Sequence, residues 1–530
     1  MTWPQRYDPM GSALLSTLVA LAPVVLLLGL LATRRVRAEW AALVGLGASI
    51  AVAVFAIGMP AGMAVRAAVF GALYGLFPIG WILLNVIFLY RLTVEQGAFD
   101  VLQRSIAQLT TDKRLQLVLI AFSFGAFFEG AAGFGTPVAV TAALLIGLGF
   151  SPLEASGLSL IANTAPVAFG ALGTPLIALQ GVTGLDMHEL SAQVGRQLPV
   201  FSVMIPFWLI AVYAGFGKMM EIWPALAVAG ITFAVPQYLI SNFHGPWLVD
   251  VGAALISMGC FALFLRVWHP PGTERVTKRD TDIPRAAMLR ALMPWALLCV
   301  IVFAWGTPQV KAWLDSISIG KFPIHGLDQM VLRTPPVVTA AKPEAAVFTL
   351  NWLSASGSGI ALTAIIAGIL MGCTPSQMAR AYGGTLRRVA PSLLTISAMM
   401  ALGYVTRYSG TDAILGIAFA HAGVLYPFFG TYLGWLGVAL TGSDTSSNVL
   451  FGGLQVVTAH QIGVSPVLMA AANSSGGVMG KMIDAQSIVV AGTATQTRGM
   501  EGAILRYVFR HSLALVTLVG IWVMLEAYVF

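Results

Sequence analysis

The sequence predicts an all-α polytopic membrane protein of about 12 transmembrane helices plus two re-entrant hairpins, arranged as two inverted repeats. Three observations carry that prediction. The 530 residues are 58% hydrophobic and only 10% charged, with a mean hydropathy of +0.84, whereas a soluble domain carries about 25% charged residues. The apolar runs are continuous rather than alternating, which selects helices over a barrel. Two of the runs are interrupted by polar, glycine-rich stretches, leaving apolar arms shorter than the roughly 20 residues a spanning helix needs.

The elements follow in order. Residues 10–32 form the first span; the run is too long for a signal peptide and lacks a clear cleavage site. Spans at 40–58 and 67–90 lead to the first hairpin, 115–150. Its tip reads FFEGAAGFGTP, Phe127 to Pro137, where Glu129 is followed by three glycines and a proline. Such a break is tolerated at membrane depth only where protein or water satisfies the backbone. An acid there is costly enough to suggest function, the plainer alternative being a kinked helix whose glutamate caps a neighbour. A broken span, 155–182, carries Asn163, Thr164 and Pro166 in its middle. Spans at 199–217, 222–240 and 247–267 complete the first half, 1–268. The polar segment 269–290 reads as a cytoplasmic loop. The second half, 291–530, holds spans at 291–307, 345–370 and 391–406, a hairpin at 424–463, a broken span at 466–493 and a last span at 511–529. The polar stretches 269–290 and 308–344 are too short to build a core of their own.

The two halves share landmarks. Pro78 and Pro391 are 313 apart (391 − 78), as are Gly97 and Gly410 (410 − 97). Each hairpin is followed by Ser-Pro, Ser151-Pro152 and Ser465-Pro466, then by Asn163-Thr164 and Asn473-Ser474. Charge gives the relative orientation. Arg91, Arg104, Lys113 and Arg114 follow the third span, while the matching stretch of the second half has Arg407 alone. One loop earlier the bias reverses, with Arg66 against Arg380, Arg387 and Arg388. With Arg34, Arg35 and Arg37 inside, the positive-inside rule is obeyed throughout if both termini are periplasmic. Inverted repeats with broken elements at matching positions point to a secondary transporter whose site lies between the repeats near the midplane.

The second hairpin tip, TGSDTSSN, spans Thr441 to Asn448. Hydroxyls and amides of this kind cap helix N-termini, and Thr136-Pro137 repeats the idea in the first hairpin. Half-helices starting near the midplane aim positive dipole ends and unpaired N–H groups at one point, which suits a carboxylate. Candidate substrate-binding residues are therefore Gly135, Thr136, Asn163, Thr164, Ser443, Thr445, Ser446, Asn448, Asn473, Ser474 and Lys481. Glu129, Asp444, Asp484 and His460 are the candidates for proton coupling. Bland alternatives stand beside them: the hydroxyls can simply satisfy hairpin backbones, and Lys481 and Asp484, one turn apart, can simply pair. His460 and His421 can be packing residues, and Arg407 can snorkel to the interface. No enzyme signature, H-E-x-x-H or Walker loop, is present. No catalytic, metal or cofactor residues are expected: Cys260, Cys299 and Cys373 lack metal-ligand spacing. The net charge of +7 comes from scattered residues rather than a nucleic-acid-binding block.

FEGAAGFGTPVAVTAALL, GSDTSSNVLFGGLQ and ANSSGGVMGKM resemble the L-lactate permease family of bacterial secondary transporters. The likeness covers most of the chain and is weakest over 269–344. The family pattern usually reads GFGAP and GKMISPQS where this chain has GFGTP and GKMIDAQS; the added acid is Asp484. The resemblance implies proton-coupled uptake of lactate, and often glycolate, across the bacterial inner membrane. Protons, a small carboxylate and the lipid bilayer are then the partners, with a homodimer as the assembly to test. The expected mechanism is of the elevator type: hairpins and broken spans move against a scaffold built on 67–90 and 391–406. The substrate carboxylate would meet the tips, and its 2-hydroxyl Asn163 or Asn473. The rival readings are a transporter of another organic anion and a cation/proton antiporter.

Overall fold

Continuous apolar runs without interior polar groups close their backbone hydrogen bonds within one helix, the economical solution in a solvent that offers none. The computed structural model, which describes residues 2–32, 36–107, 109–133, 136–270, 284–496 and 500–530, is mainly helical. Among the described residues, 11 helical segments are long and apolar enough to cross a membrane. Shorter apolar helices, such as Ser356–Leu370 and Ala485–Ala494, accompany them. Most of the 269–290 loop (271–283), with Arg34 and Arg35, lies outside the described residues.

Element lengths recur along the chain. Ala61–Glu95 and Pro375–Ser409 both have 35 residues, and Met187–Ala214 and Glu501–Tyr528 both have 28. Each pair is offset by 314 (375 − 61 and 501 − 187), and so are Pro152 and Pro466, which open helices capped by Ser151 and Ser465. The Ser151 cap is a full capping box with Glu154, closing two N–H groups at once. The two 35-residue segments pack on each other through glycine. A Cβ on Gly71 would lie 2.7 Å from the Ala401 Cα, and one on Gly75 2.8 Å from the Ser397 Cα. Small residues let membrane helices approach this closely, where dispersion replaces the hydrophobic effect as the adhesive. Phe70 and Tyr404 close the seam edge to face, centroids 4.8 Å apart.

Both hairpins are built of unequal arms. Lys113–Ala131 turns back into Thr136–Gly147, and Tyr426–Thr441 into Asp444–Ile462. The first arm of the first hairpin is longer than its apolar run suggests. Its 19 residues take in the polar Lys113 to Gln116, because Asp112 caps the helix by accepting from the Arg114 N–H.

One face carries a small β cap. Ile319–Pro323 pairs antiparallel with Val347–Asn351. Val331–Arg333 pairs antiparallel with Lys342–Pro343 and parallel with Trp3–Pro4. The 345–370 span is therefore corrected: its first residues belong to the cap and the helix starts at Ser356. The stretch AAVFTLNWL is apolar enough to extend a span, but its backbone is spent on a neighbouring strand. Both termini lie on the capped face. The N-terminal strand is part of the sheet. Glu526, near the other end, accepts from Gln193 and Gln197, close to Met187 on the wall of the cap-side vestibule.

Candidate functional site

The hairpin tips and helix breaks converge. Pro152–Ala162 stops at Asn163 and the chain resumes as a helix at Thr174. Pro466–Gly480 gives way to a tight turn at Lys481–Ile483 before Ala485–Ala494. Between them lies a cavity of about 40 Å³, walled by Glu129, Gly133 and Thr174 on one side and by Ser443, Asp444, Thr445 and Lys481 on the other. It has room for a molecule of a few heavy atoms. Two helices begin at its wall, Thr174–Thr183 and Asp444–Ile462, so their positive ends and first N–H groups favour an anion there. Gly442 makes the second tip possible: its φ of +74° belongs to the left-handed region, open to glycine at no steric cost. Ser443 then accepts from the Ser446 N–H at 3.3 Å.

Charge around this cavity is finely divided. Glu129 is buried, with Oε2 unpartnered. Asp444 accepts at Oδ2 from Ser474 Oγ (2.5 Å) and Asn448 Nδ2 (3.2 Å), while Oδ1 is unpartnered. The cation on the wall, Lys481, is already engaged: Nζ donates to the Gly442 carbonyl at 2.6 Å and lies 3.2 Å from Asp484 Oδ2. Asp484 in turn caps its helix through the Ser487 N–H, 2.7 Å away. Glu129, Asp444 and Lys481 all act on one another electrostatically. With both cavity acids ionised, an entering anion meets two negative charges against one cation that is already paired. Protons on the acids remove that repulsion.

A buried polar chain holds the second tip. Tyr426 OH donates to Gln455 Oε1 (2.7 Å), and Gln455 Nε2 donates to Asn473 Oδ1 (3.2 Å). Asn473 Nδ2 donates to Asn448 Oδ1 (2.9 Å). Asn448 Nδ2 reaches Asp444 and also the Pro175 carbonyl, 3.2 Å away, tying the second hairpin to the first broken helix. Both amide atoms of Asn473 are spent inside this chain, so its geometry is that of a brace. Asn163 differs: it is buried beside Glu129, and the contact its side chain makes is with that carboxyl.

The other expected residues are distributed unevenly. Ser446 and Ser474 are buried close to the tip. Thr164 turns its hydroxyl back to the Ile161 carbonyl at 2.8 Å and does not line the cavity. Gly135 and the side chain of Thr136 lie outside the described residues. His460 is the clearest correction. It is exposed in the last turn of its helix, 16 residues beyond Asp444, or about 24 Å along the axis at 1.5 Å per residue. Arg407 does not snorkel. It is mostly buried, donates to the Gly181 carbonyl (3.0 Å) and pairs with Glu344 of the cap (3.4 Å). Arg333 pairs with the same carboxylate at 2.7 Å. Burial alone would push the Glu344 carboxyl up, but Arg407 and Arg333 outweigh it and hold it below the ordinary range.

Sequence reasoning missed Thr174, Gln455 and Tyr426, and it also missed Asp250, a buried acid packed on Gly130. The signal for Asp250 was present: WLVDVGAALISM puts an acid at the head of an apolar run, as FFEGAAG does for Glu129.

Two vestibules flank the centre. One, of about 330 Å³ under the cap, is walled by Tyr74, Gln180, Trp247, Trp305 and Lys311. The other, of about 270 Å³ towards the opposite face, is walled by Tyr90, Arg91, Arg388 and Ala132 of the first hairpin.

The chain is similar to known proteins over nearly its whole length. The family model described as L-lactate permease matches residues 16–530. Glycolate permease GlcA of Escherichia coli K12 is 46% identical over 100% of this chain and 99% of its own. The L-lactate permease of the same strain is 43% identical over 99% and 98%. Among solved structures, the YdaH transporter of Alcanivorax borkumensis aligns over 86% of each chain with a TM-score of 0.47 and 14% identity.

Proposed function

The chain belongs to the L-lactate permease family, and from that premise we propose that it takes up L-lactate and glycolate across the bacterial inner membrane by proton symport. The observation that carries the reading is the central cavity itself. Two helix N-termini offer an anion site, while Glu129 and Asp444 both line the same confined space and each keeps one carboxyl oxygen without a hydrogen-bond partner. Coulomb repulsion at short range in a poorly screened interior then links substrate to proton. The monocarboxylate binds well only when the facing acids are neutral, so anion and proton travel together. Asn163, buried against the Glu129 carboxyl, is placed to meet a 2-hydroxyl there.

The two halves act as inverted repeats, 1–268 and 291–530. The crossed segments Ala61–Glu95 and Pro375–Ser409 form the scaffold, against which hairpins and broken helices move as one body. The capped face is periplasmic, since Arg91, Lys113, Arg114 and Arg388 gather towards the other end; both termini are then periplasmic too. Alternating exposure of the cavity to the two vestibules completes an elevator-type cycle.

Labelled L-lactate uptake into proteoliposomes, with and without an inward proton gradient, tests the reading. The expected result is accumulation that collapses with a protonophore and is competed by glycolate. Gradient dissipation by sodium or potassium without lactate uptake would replace it with the antiporter. Glu129→Gln is expected to abolish gradient-driven accumulation, and full pH-driven accumulation by that variant would remove Glu129 from the coupling role.

A further inference from the structure

Asp250 stands in the first turn of Val249–Val267, an apolar helix of membrane-spanning length. Its side chain is buried at 2% relative exposure, and neither carboxyl oxygen has a hydrogen-bond partner. Complementing the helix dipole is the ordinary role for an acid in a first turn. That interaction is strongest when a first-turn N–H also donates to the carboxylate, and no such hydrogen bond is there. The residue instead packs on the first hairpin: a Cβ on Gly130 would lie 2.9 Å from the Asp250 Cβ and 2.8 Å from Val251 Cγ2. Gly130 directly follows Glu129, so a larger residue there would push the two helices, and with them the two acids, apart.

The surroundings narrow the partner. Glu129 is the ionisable group that acts electrostatically on Asp250. On the other helices packed against Val249–Val267, the titratable or charged residues whose side chains are described are Tyr238, Arg290 and Cys299. His244, in the preceding turn, is held at the Phe303 carbonyl at 3.0 Å and stacked on the Phe303 ring. Three residues before Asp250, Trp247 forms part of the wall of the cap-side vestibule. Asp250 is thus three residues along the chain from a vestibule wall and packed on the residue that follows Glu129, which itself lines the central cavity. An unpaired acid in this position is expensive to keep in a membrane interior, which favours a functional role over a packing one.

We propose that Asp250 is the proton-admitting carboxyl of this transporter, taking a proton from the vestibule beside Trp247 and passing it to Glu129 at the cavity wall. The step moves one proton from an Asp250 oxygen to a Glu129 carboxylate oxygen. Asp250 is left ionised and Glu129 neutral, and the pair carries one negative charge before and after. A neutral Glu129 then admits the anion, and Asp250 is reprotonated from the vestibule. The inference rests on the symport reading and deepens it.

The test uses the full chain in proteoliposomes with two readouts: accumulation of labelled L-lactate driven by a proton gradient, and exchange of internal labelled for external unlabelled L-lactate at equal pH. Exchange returns substrate and proton together and needs no net passage through Asp250. Asp250→Asn is expected to lower accumulation by about tenfold or more, the scale of a lost proton-transfer group, while exchange survives. Asp250→Glu is expected to restore accumulation with a displaced pH profile. Accumulation by Asp250→Asn at the wild-type level and pH profile would overturn the proposal. So would equal loss of exchange and accumulation in a variant whose melting temperature is unchanged, since that marks a packing or substrate-binding role. Failure of the wild-type protein to accumulate lactate would overturn the symport reading together with this step, whereas wild-type accumulation matched by Asp250→Asn overturns Asp250 alone.

Discussion

At the scale of single residues, the site is governed by what each buried polar atom is paired with. Lys481 could have been a free charge for the substrate, but its ammonium is shared between Asp484 and the Gly442 carbonyl. It thereby fixes the second hairpin turn as well as supplying positive potential at the cavity wall. Removing one member of a buried pair leaves the other uncompensated, at a cost of about 3–5 kcal/mol. Lys481→Met is therefore expected to lower thermal stability in detergent sharply and to abolish lactate uptake. Adding Asp484→Asn removes the orphaned charge while keeping an N-cap of equal quality. The double variant is expected to regain most of the melting temperature and none of the uptake. If it regains both, Lys481 serves the fold alone.

At the scale of elements, close helix approach decides which segments form a rigid frame. The Gly71 and Gly75 contacts leave no room for side chains against the backbone of Met400 to Ala401 and Ser397. The same device joins the second hairpin to its broken helix, where a Cβ on Gly434 would lie 2.7 Å from the Asn473 carbonyl carbon. Gly71→Ala forces two backbones apart, and overpacking of that kind costs about 1–3 kcal/mol. Gly29 offers a control, because a Cβ there meets nothing within 4 Å. Thermal unfolding followed in detergent should show Gly71→Ala melting earlier and Gly29→Ala close to wild type. Equal melting of the two would mean that the crossing yields more than its geometry suggests. Little of this was legible in sequence. Glycines in apolar runs announce close packing, but not against which helix.

At the scale of the whole molecule, Arg407 joins three parts. It ends the second 35-residue segment, holds the Gly181 carbonyl near the C-terminus of the first broken helix, and pairs with Glu344 in the cap. Any motion of the broken helices against that 35-residue segment must exchange these contacts. The pH dependence of the cap follows from Glu344. Its carboxyl is held below its ordinary value, which is about 4.3, so its stabilising contribution is complete above that value and is lost as pH falls through the lower folded-state value. Glu344→Gln is expected to melt earlier than wild type at neutral pH, with the difference narrowing below about pH 4. Melting curves measured between pH 3 and 8 check this, and a difference that widens in acid would reverse the assignment.

Composition alone determined the solvent: with 10% of residues charged and long apolar runs, only a helical membrane protein satisfies its backbone. Local sequence also located the costly residues, since an acid such as Glu129 or Asp444 in an apolar run is conspicuous without any structure. Tertiary structure decided what those residues face. Glu129 and Lys481 are 352 positions apart (481 − 129), and no local period encodes their meeting across the cavity. The same holds for the pairing of Asn473 with Asn448, which converts an expected ligand into a brace, and for the distance of His460 from the tip. Asp250 beside Gly130 is the sharpest instance: its carboxyl reads as an isolated helix-start residue until the fold sets it behind Glu129. Burial and cost are properties of a residue and its neighbours along the chain, whereas partnership between polar atoms is a property of the packed molecule.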